Sequence, residues 1–144
     1  MPRGGEIVSS HIRSLMAGHL TDVLSSDQHT VKPWFDGKLD LAPPVVDLAT
    51  QGFPLVGGRL DYIGGRSVAA LVYRHGLHVI NLFIWPQAGA TEHAATAANR
   101  NGYTLLNWQA NGMAYWAVSD VNFESLKAFE REVRSATPTP EPAP

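Results

Sequence analysis

The stretch that decides the fold is residues 52–86, GFPLVGGRLDYIGGRSVAALVYRHGLHVINLFIWP. It contains three runs rich in β-branched and aromatic residues, at 55–63, 67–74 and 78–85, which short glycine-containing connections at 64–66 and 75–77 separate. The middle run is apolar at consecutive positions, which is typical of a strand covered on both faces. The stretch therefore predicts an antiparallel meander with residues 67–74 as an inner strand. Gly57-Gly58 marks either a bulge in the first strand or a close approach of another backbone.

Downstream, residues 103–109 and 113–119 predict a second hairpin around the Asn111-Gly112 pair, which tolerates the positive φ of a tight turn. The Ala-, Gly- and Asn-rich residues 87–101 between the two hairpins predict a flexible excursion. A helix then starts at a cap formed by Asp120 or Asn122. Its apolar face comprises Phe123, Leu126, Phe129 and Val133, and Glu130 with Arg134 forms a favourable pair on the other face.

Upstream of the meander, the pattern is helical first and irregular afterwards. Apolar and aromatic positions recur at three-and-four spacing, with Ser9 or Ser10 as the cap, and predict a first helix with its buried face at Val8, Ile12, Leu15, Met16, His19 and Val23. Residues 30–37 predict a short second helix, and residues 45–51 a further helical turn before Gly52. We expect the loop-rich segment 30–48 to wrap around the domain with Trp34 and Phe35 buried.

These elements predict one α+β domain. It has an approximately five-stranded, mainly antiparallel sheet, with the N-terminal and C-terminal helices packed on one face. Residues 1–7 are assigned to an added start or a juxtamembrane linker, residues 8–136 to the domain, and residues 137–144, which contain four prolines, to a disordered tail.

Composition excludes several classes of function. The 144 residues carry 11 basic and 13 acidic side chains without a basic stripe, so direct nucleic-acid binding is not expected. The chain has no cysteine, which removes disulfides, thiolate metal sites and cysteine nucleophiles. It also lacks an apolar run long enough to span a bilayer.

Each group of residues in the sequence that could bind a metal or catalyse a reaction can also be explained by a purely structural role. His75 and His78 flank a hairpin and are the weak metal candidates, but nothing in their spacing brings a third ligand to them, so no metal site or cofactor is predicted. Ser25, Asp27 and His29 lack the surroundings of a nucleophile elbow, and the glycine pairs match no phosphate-binding motif. We therefore expect no enzymatic activity. Large aromatic residues, including Trp34 and Trp85, leave open a ligand pocket.

Several phrases of the chain resemble a known family. HTVKPWFDGKLD at 29–40, PPVVDL at 43–48, GFPLVGGRLDYIGGRSVAALVYR at 52–74 and HVINLFIWP at 78–86 are similar to the extracytoplasmic domain of bacterial transmembrane anti-sigma factors, also described as transmembrane transcriptional regulators. The resemblance continues more loosely through GYTLLNWQANGMAYWAVSD at 102–120. It implies a periplasmic domain of an inner-membrane protein, preceded by a membrane helix and by a cytoplasmic part that binds a sigma factor.

Two functional hypotheses follow. The first is a non-enzymatic sensory or regulatory domain that controls an extracytoplasmic-function sigma factor bound by the cytoplasmic part, with a regulatory protease or a second copy as a further partner. The first helix would then be the output element. The alternative is a small-ligand or metal-binding module. Candidate ligand or regulatory contacts are His29, Lys32, Trp34, Phe35, Tyr73, His78 and Trp85.

Overall fold

The computed structural model describes residues 3–15, 21, 23–24, 31, 44–87 and 93–136. Two α-helices and seven strands have bounds within these ranges. The helices are α1 (Arg3–Ser14) and α2 (Phe123–Ala136), and a 3₁₀ turn covers Ala49–Gln51. The strands are β1 (Val23–Leu24), β2 (Leu55–Ile63), β3 (Arg66–His75), β4 (His78–Pro86), β5 (His93–Arg100), β6 (Tyr103–Ala110) and β7 (Met113–Ser119).

The strands form one antiparallel sheet in the order β1-β2-β3-β4-β7-β6-β5. It consists of two three-stranded meanders, β2 to β4 and β5 to β7, joined where β4 pairs with β7. The α+β class and the antiparallel sheet are confirmed. The strand number is larger than expected, since β5 and the two-residue β1 add to the five predicted strands.

The β5 strand corrects the interpretation of residues 87–101 as a flexible excursion. Residues 93–100 pair with β6, and the connection between them is Asn101-Gly102, with φ of 54° and 83°. The same left-handed pair occurs at Asn111-Gly112, with φ of 55° and 76°, between β6 and β7. Two Asn-Gly turns thus build the second meander, and each suits the right-handed twist of its strands.

The helices lie on opposite faces of the sheet, so the expectation that they share one face is wrong. Alternate residues of each strand point to opposite faces. In β3, Ala70 belongs to the core under α1, whereas Leu71 belongs to the core under α2. Leu126, Phe129 and Val133 anchor α2 on its face, and Ile7 and Val8 anchor α1 on the other.

The position and buried face of α1 also differ from the prediction. The helix begins at Arg3, inside the stretch 1–7 assigned to a linker, and Ser9 and Ser10 lie within it rather than at its cap. Ile12 is 38% exposed and Leu15 is 47% exposed. The buried face instead comprises Ile7, Val8, Ser10, His11 and Ser14.

Other local predictions agree with the structure. The pairing register of β2 and β3 shifts between Leu55 and Gly57, which is the predicted bulge. Gly52, at φ 92°, ends the 3₁₀ turn. Asn122 caps α2 by accepting a hydrogen bond from the Ser125 amide at 2.8 Å. The Glu130–Arg134 ion pair is present, but Glu130 is buried rather than on the outer face.

Part of the prediction concerns residues outside the described ranges. These are the short helix at 30–37 apart from Val31, the burial of Trp34 and Phe35, the helical positions Met16 and His19, and the tail at 137–144. Val31 is helical and buried. Val23, which was predicted on the buried face of the first helix, lies instead in β1. Within the described ranges, neither helix has the length and apolar character that crossing a membrane requires.

Candidate functional site

The candidate site is a buried layer of polar side chains between α1 and the sheet. Ser10, His11 and Ser14 follow the spacing that places residues on one side of a helix, and each is at most 2% exposed. Polar groups removed from water require hydrogen-bond partners, because an unsatisfied one costs about 1–3 kcal/mol. The sheet supplies these partners.

Three side chains of β2 and β4 face α1. Arg59 is 4% exposed and Asn81 is fully buried, both unusual for such polar residues within a sheet. Asp61 accepts hydrogen bonds from Arg59 Nη2 at 3.2 Å and Nε at 3.3 Å, and also from the Ser10 hydroxyl. These three residues and the three of α1 are hereafter the polar cluster: Ser10, His11, Ser14, Arg59, Asp61 and Asn81.

The polar cluster forms a continuous chain of hydrogen bonds that begins and ends on α1. Ser10 donates to Asp61, which accepts from Arg59, and Arg59 Nη1 donates to Asn81 Oδ1 at 2.6 Å. The Asn81 amide nitrogen then contacts His11 Nδ1 at 2.6 Å and donates to Ser14 Oγ at 3.0 Å. One connected hydrogen-bond network therefore links α1 to both β2 and β4.

The chemistry of arginine fixes the direction of every bond in this chain. A guanidinium group can only donate, so the Asn81 oxygen must face Arg59 and its NH₂ group must face His11. His11 Nδ1 must then accept, which requires a neutral imidazole with its proton on Nε2. Ser14 is consistent with this arrangement because its hydroxyl donates to the His11 carbonyl at 2.7 Å while accepting from Asn81.

The pKa of His11 is lowered from its usual value of 6.5 to about 4, mainly because of burial and next because of the nearby Arg59 charge. Asp120 acts in the opposite direction and raises this pKa. Both main causes disfavour the charged imidazolium. The electrostatics and the hydrogen-bond directions thus agree on a neutral His11.

Further contacts hold α1 at its margins. Glu6 Oε2 accepts a hydrogen bond from the Gly64 amide at 2.8 Å, in the turn between β2 and β3. The His11 ring makes an edge contact with the ring of Tyr103, with centroids 5.0 Å apart. The Arg59 guanidinium lies 5.5 Å from the centre of the Phe83 ring. Cation–π and aromatic contacts of this kind add to the apolar packing of Ile7.

An open groove of about 390 Å³ runs along the outer side of α1. Its lining residues are Gly5, Glu6, Ser9, Arg13 and Tyr62. Since Tyr62 is 68% exposed, the groove lacks the enclosed apolar character of a typical small-molecule site.

Two of the candidate contact residues predicted from the sequence are core residues. Tyr73 is fully buried on the α2 side and donates from its hydroxyl to the Val46 carbonyl at 2.6 Å. Burial raises its pKa far above the usual value. Trp85 is buried on the α1 side, next to Ile63 and Val68. The sheet therefore separates Tyr73 from Trp85.

The hairpin histidines contact different partners. His75 Nδ1 donates to the Gly52 carbonyl at 3.0 Å, and the His75 ring stacks on Phe53. His78 pairs with Asp120, with His78 Nδ1 3.0 Å from Asp120 Oδ1. No cluster of three metal-ligating side chains occurs among the described residues. The remaining candidates, His29, Lys32, Trp34 and Phe35, lie outside the described ranges.

The polar cluster was not predicted from the sequence, although two signs of it were present. Asn81 interrupts an otherwise apolar strand, and Arg59 stands at an inward position of another. A polar residue inside a buried strand indicates a hydrogen-bond partner from a neighbouring element. The partners on α1 were not named because Ser10 was considered as the helix cap and His11 and Ser14 fall outside the predicted periodic face.

Comparison with known proteins gives little further information. No protein-family profile and no curated protein matches the chain. One solved structure, "The complex structure of Pseudomonas aeruginosa MucA/MucB", contains a chain that matches with a TM-score of 0.43 and 20% identity. The match covers 61% of this chain and 30% of that chain, so it is a partial likeness of fold from which no function follows.

Proposed function

We propose that this chain is a non-enzymatic regulatory domain of a bacterial membrane-bound anti-sigma factor, located on the extracytoplasmic side of the inner membrane. The observation that carries the proposal is the attachment of α1, which is held by a small apolar contact and by the polar cluster. The core between α2 and the sheet contains no residue of α1, so α1 can be released while that core stays packed. The sequence phrases at 29–40 and 52–86 support the same assignment by resemblance.

The proposed mechanism uses α1 as the output element. In proteins of the resembled family, a membrane helix precedes this domain, and the cytoplasmic part beyond it binds the sigma factor. When α1 is docked, its backbone is protected from proteases. When α1 is released, the segment near the membrane becomes accessible for cleavage, and the sigma factor is set free. Local opening of this kind needs much less free energy than global unfolding.

Loosening α1 should activate transcription. In the full-length protein, Ile7→Ala removes a fully buried side chain from the α1 core and should cost about 2–5 kcal/mol of packing. Each 1.4 kcal/mol changes the ratio of released to docked α1 about tenfold. We expect a clear rise in a sigma-dependent reporter, accompanied by loss of the full-length protein on immunoblots.

Ile12→Ala is the matched control, since it makes the same change on the exposed side of α1. It should leave both the reporter and the full-length protein unchanged. The regulatory proposal fails if Ile7→Ala weakens α1 docking in the purified domain but alters neither reporter output nor cleavage in cells.

The ligand-binding alternative makes a different prediction for the purified chain. A regulatory domain that works through α1 needs no small molecule, whereas a binding module with a tight native ligand retains it through purification. Native mass spectrometry should therefore give the bare mass of the chain. A stoichiometric adduct that disappears after Arg13→Ala, in the groove beside α1, would favour the alternative.

The proposal that the domain is not an enzyme has support from the polar cluster itself. Its histidine presents Nδ1 to an amide donor, and its neighbouring serine hydroxyl Ser14 donates to a backbone carbonyl. Neither arrangement activates a nucleophile, because a general base must accept the proton of the nucleophile's hydroxyl. A hydrolase screen should give no turnover.

A further inference from the structure

The hydrogen bond between Asn81 and His11 tolerates only one protonation state. Protonation of His11 places a proton on Nδ1, which then faces the Asn81 NH₂ group, so that two donors meet at 2.6 Å. Rotating the amide would not relieve this clash, because the NH₂ group would then face the Arg59 guanidinium. Among the described residues, neither orientation of the Asn81 amide therefore accommodates the extra proton.

We propose that α1 is an acid-released element: protonation of His11 breaks its bond to Asn81 and detaches α1 from the sheet. The imidazolium would also lie near the buried Arg59 charge, away from water. Release of α1 exposes His11 to solvent and removes both penalties. As a biological input, this inference rests on the proposed function and names acidification as the signal.

The charged and titratable groups around His11 come from several elements. Arg59 of β2 opposes protonation, and Asp120, after β7, favours it, but the effect of Asp120 is the smallest of the three causes that set the His11 pKa. Asp61 of β2 is engaged with Arg59 and Ser10. Tyr103 of β6 contacts the ring through its edge. Burial and Arg59 therefore prevail over the acidic neighbours.

The direction of the pH effect follows from the two states of His11. In released α1, His11 titrates near its usual pKa of 6.5, whereas in docked α1 its pKa is about 4. The released state therefore binds the proton more tightly, and acid favours it. The ratio of released to docked α1 should rise about tenfold per pH unit as the pH falls from 6.5 towards 4, and should level off below that.

Hydrogen exchange of the purified chain between pH 7.5 and 4.5 tests the inference. After correction for the intrinsic pH dependence of exchange, amides of residues 7–14 should lose protection about tenfold per pH unit below 6.5. Amides of β3 and β4, which are buried between the two helices, should keep their protection over the same range. His11→Gln, which retains a neutral acceptor towards Asn81, should abolish the pH dependence of α1.

His78→Gln is the matched control, because it removes an exposed histidine outside the polar cluster and should preserve the wild-type response. Loss of protection in β3 and β4 together with α1 would show global acid unfolding and overturn the inference. An unchanged pH dependence in His11→Gln would overturn it as well. Neither result depends on the sigma-factor reporter, so failure of the proposed function is recognised separately.

Ring-nitrogen NMR of the wild-type chain provides a test that needs no variant. At pH 7, His11 should show the tautomer with its proton on Nε2, because Nδ1 accepts from Asn81. On acidification, the His11 ring signals and the α1 amide signals should change together. Protonation of the ring should not precede the release of the helix. A His11 that carries its proton on Nδ1 at pH 7, or that becomes protonated near its usual pKa of 6.5 while α1 remains docked, would refute the proposal.

Discussion

Phe129→Ala is expected to destabilise the domain by about 3–5 kcal/mol, because it leaves a cavity in the larger of the two described cores. Phe129 is fully buried, and its ring meets the rings of Tyr73 at 4.9 Å and Phe53 at 5.4 Å between centroids. The side chain joins α2 to β3 and to the segment before β2. Chemical denaturation at pH 7 measures the change as a lower midpoint.

Phe123→Ala is the control on the same helix. Phe123 begins α2 but is 48% exposed, so its loss should change the free energy of unfolding by less than about 1 kcal/mol. Equal effects of the two substitutions would mean that the α2 face does not carry the packing described for it.

Asn81→Leu should destabilise the docked state by about 3–5 kcal/mol, although leucine has a similar volume and is apolar. The substitution removes the acceptor for the Arg59 guanidinium and the donors for His11 and Ser14, all of them buried. A buried group left without its partner costs about 1–3 kcal/mol, and a charged one costs more. Hydrogen exchange should locate the loss in α1 and β2.

The same substitution at Asn99 provides the comparison. Asn99 lies on the exposed strand β5, where its side chain only accepts a hydrogen bond from Thr104 at 3.1 Å. Asn99→Leu should therefore change stability by about 0.5 kcal/mol or less. If Asn81→Leu were equally mild, the polar cluster would not be the main attachment of α1.

The antiparallel meander could be predicted from the sequence because local signals agree there. Residues 55–86 combine β-branched and aromatic runs with glycine turns, so propensity, period and turn chemistry favour the same structure. The cap at Asn122 and the buried positions Leu126, Phe129 and Val133 were predictable for the same reason.

The β5 strand was not predictable from its own residues. The segment HAATAANR contains one β-branched residue and four alanines, which do not favour a strand. Its pairing with β6 is a tertiary effect that overrides this propensity. The Asn101-Gly102 turn was the available local sign, because such a pair is typical of a tight hairpin.

The buried face of α1 was predicted on the wrong side of the helix for a different reason. Three of its five buried residues are polar, so an apolar count favoured Ile12 and Leu15 over His11 and Ser14. The candidate site was missed together with this face. Sequence periodicity can locate a helix packed by hydrophobic contacts. It cannot locate the buried face of a helix packed through hydrogen bonds whose partners are 51 to 70 residues away.

The placement of the two helices on opposite sides of the sheet gives the protein two separately adjustable properties. Trp108, Tyr115 and Phe129 belong to the core on the α2 side, whereas Phe83, Trp85 and the polar cluster belong to the α1 side. Substitutions on faces separated by a sheet, without shared partners, have nearly additive effects. Mutation and selection can therefore change how readily α1 detaches while the thermal tolerance of the domain stays the same. Relatives adapted to different surroundings are then expected to release α1 at different pH values while keeping the same fold.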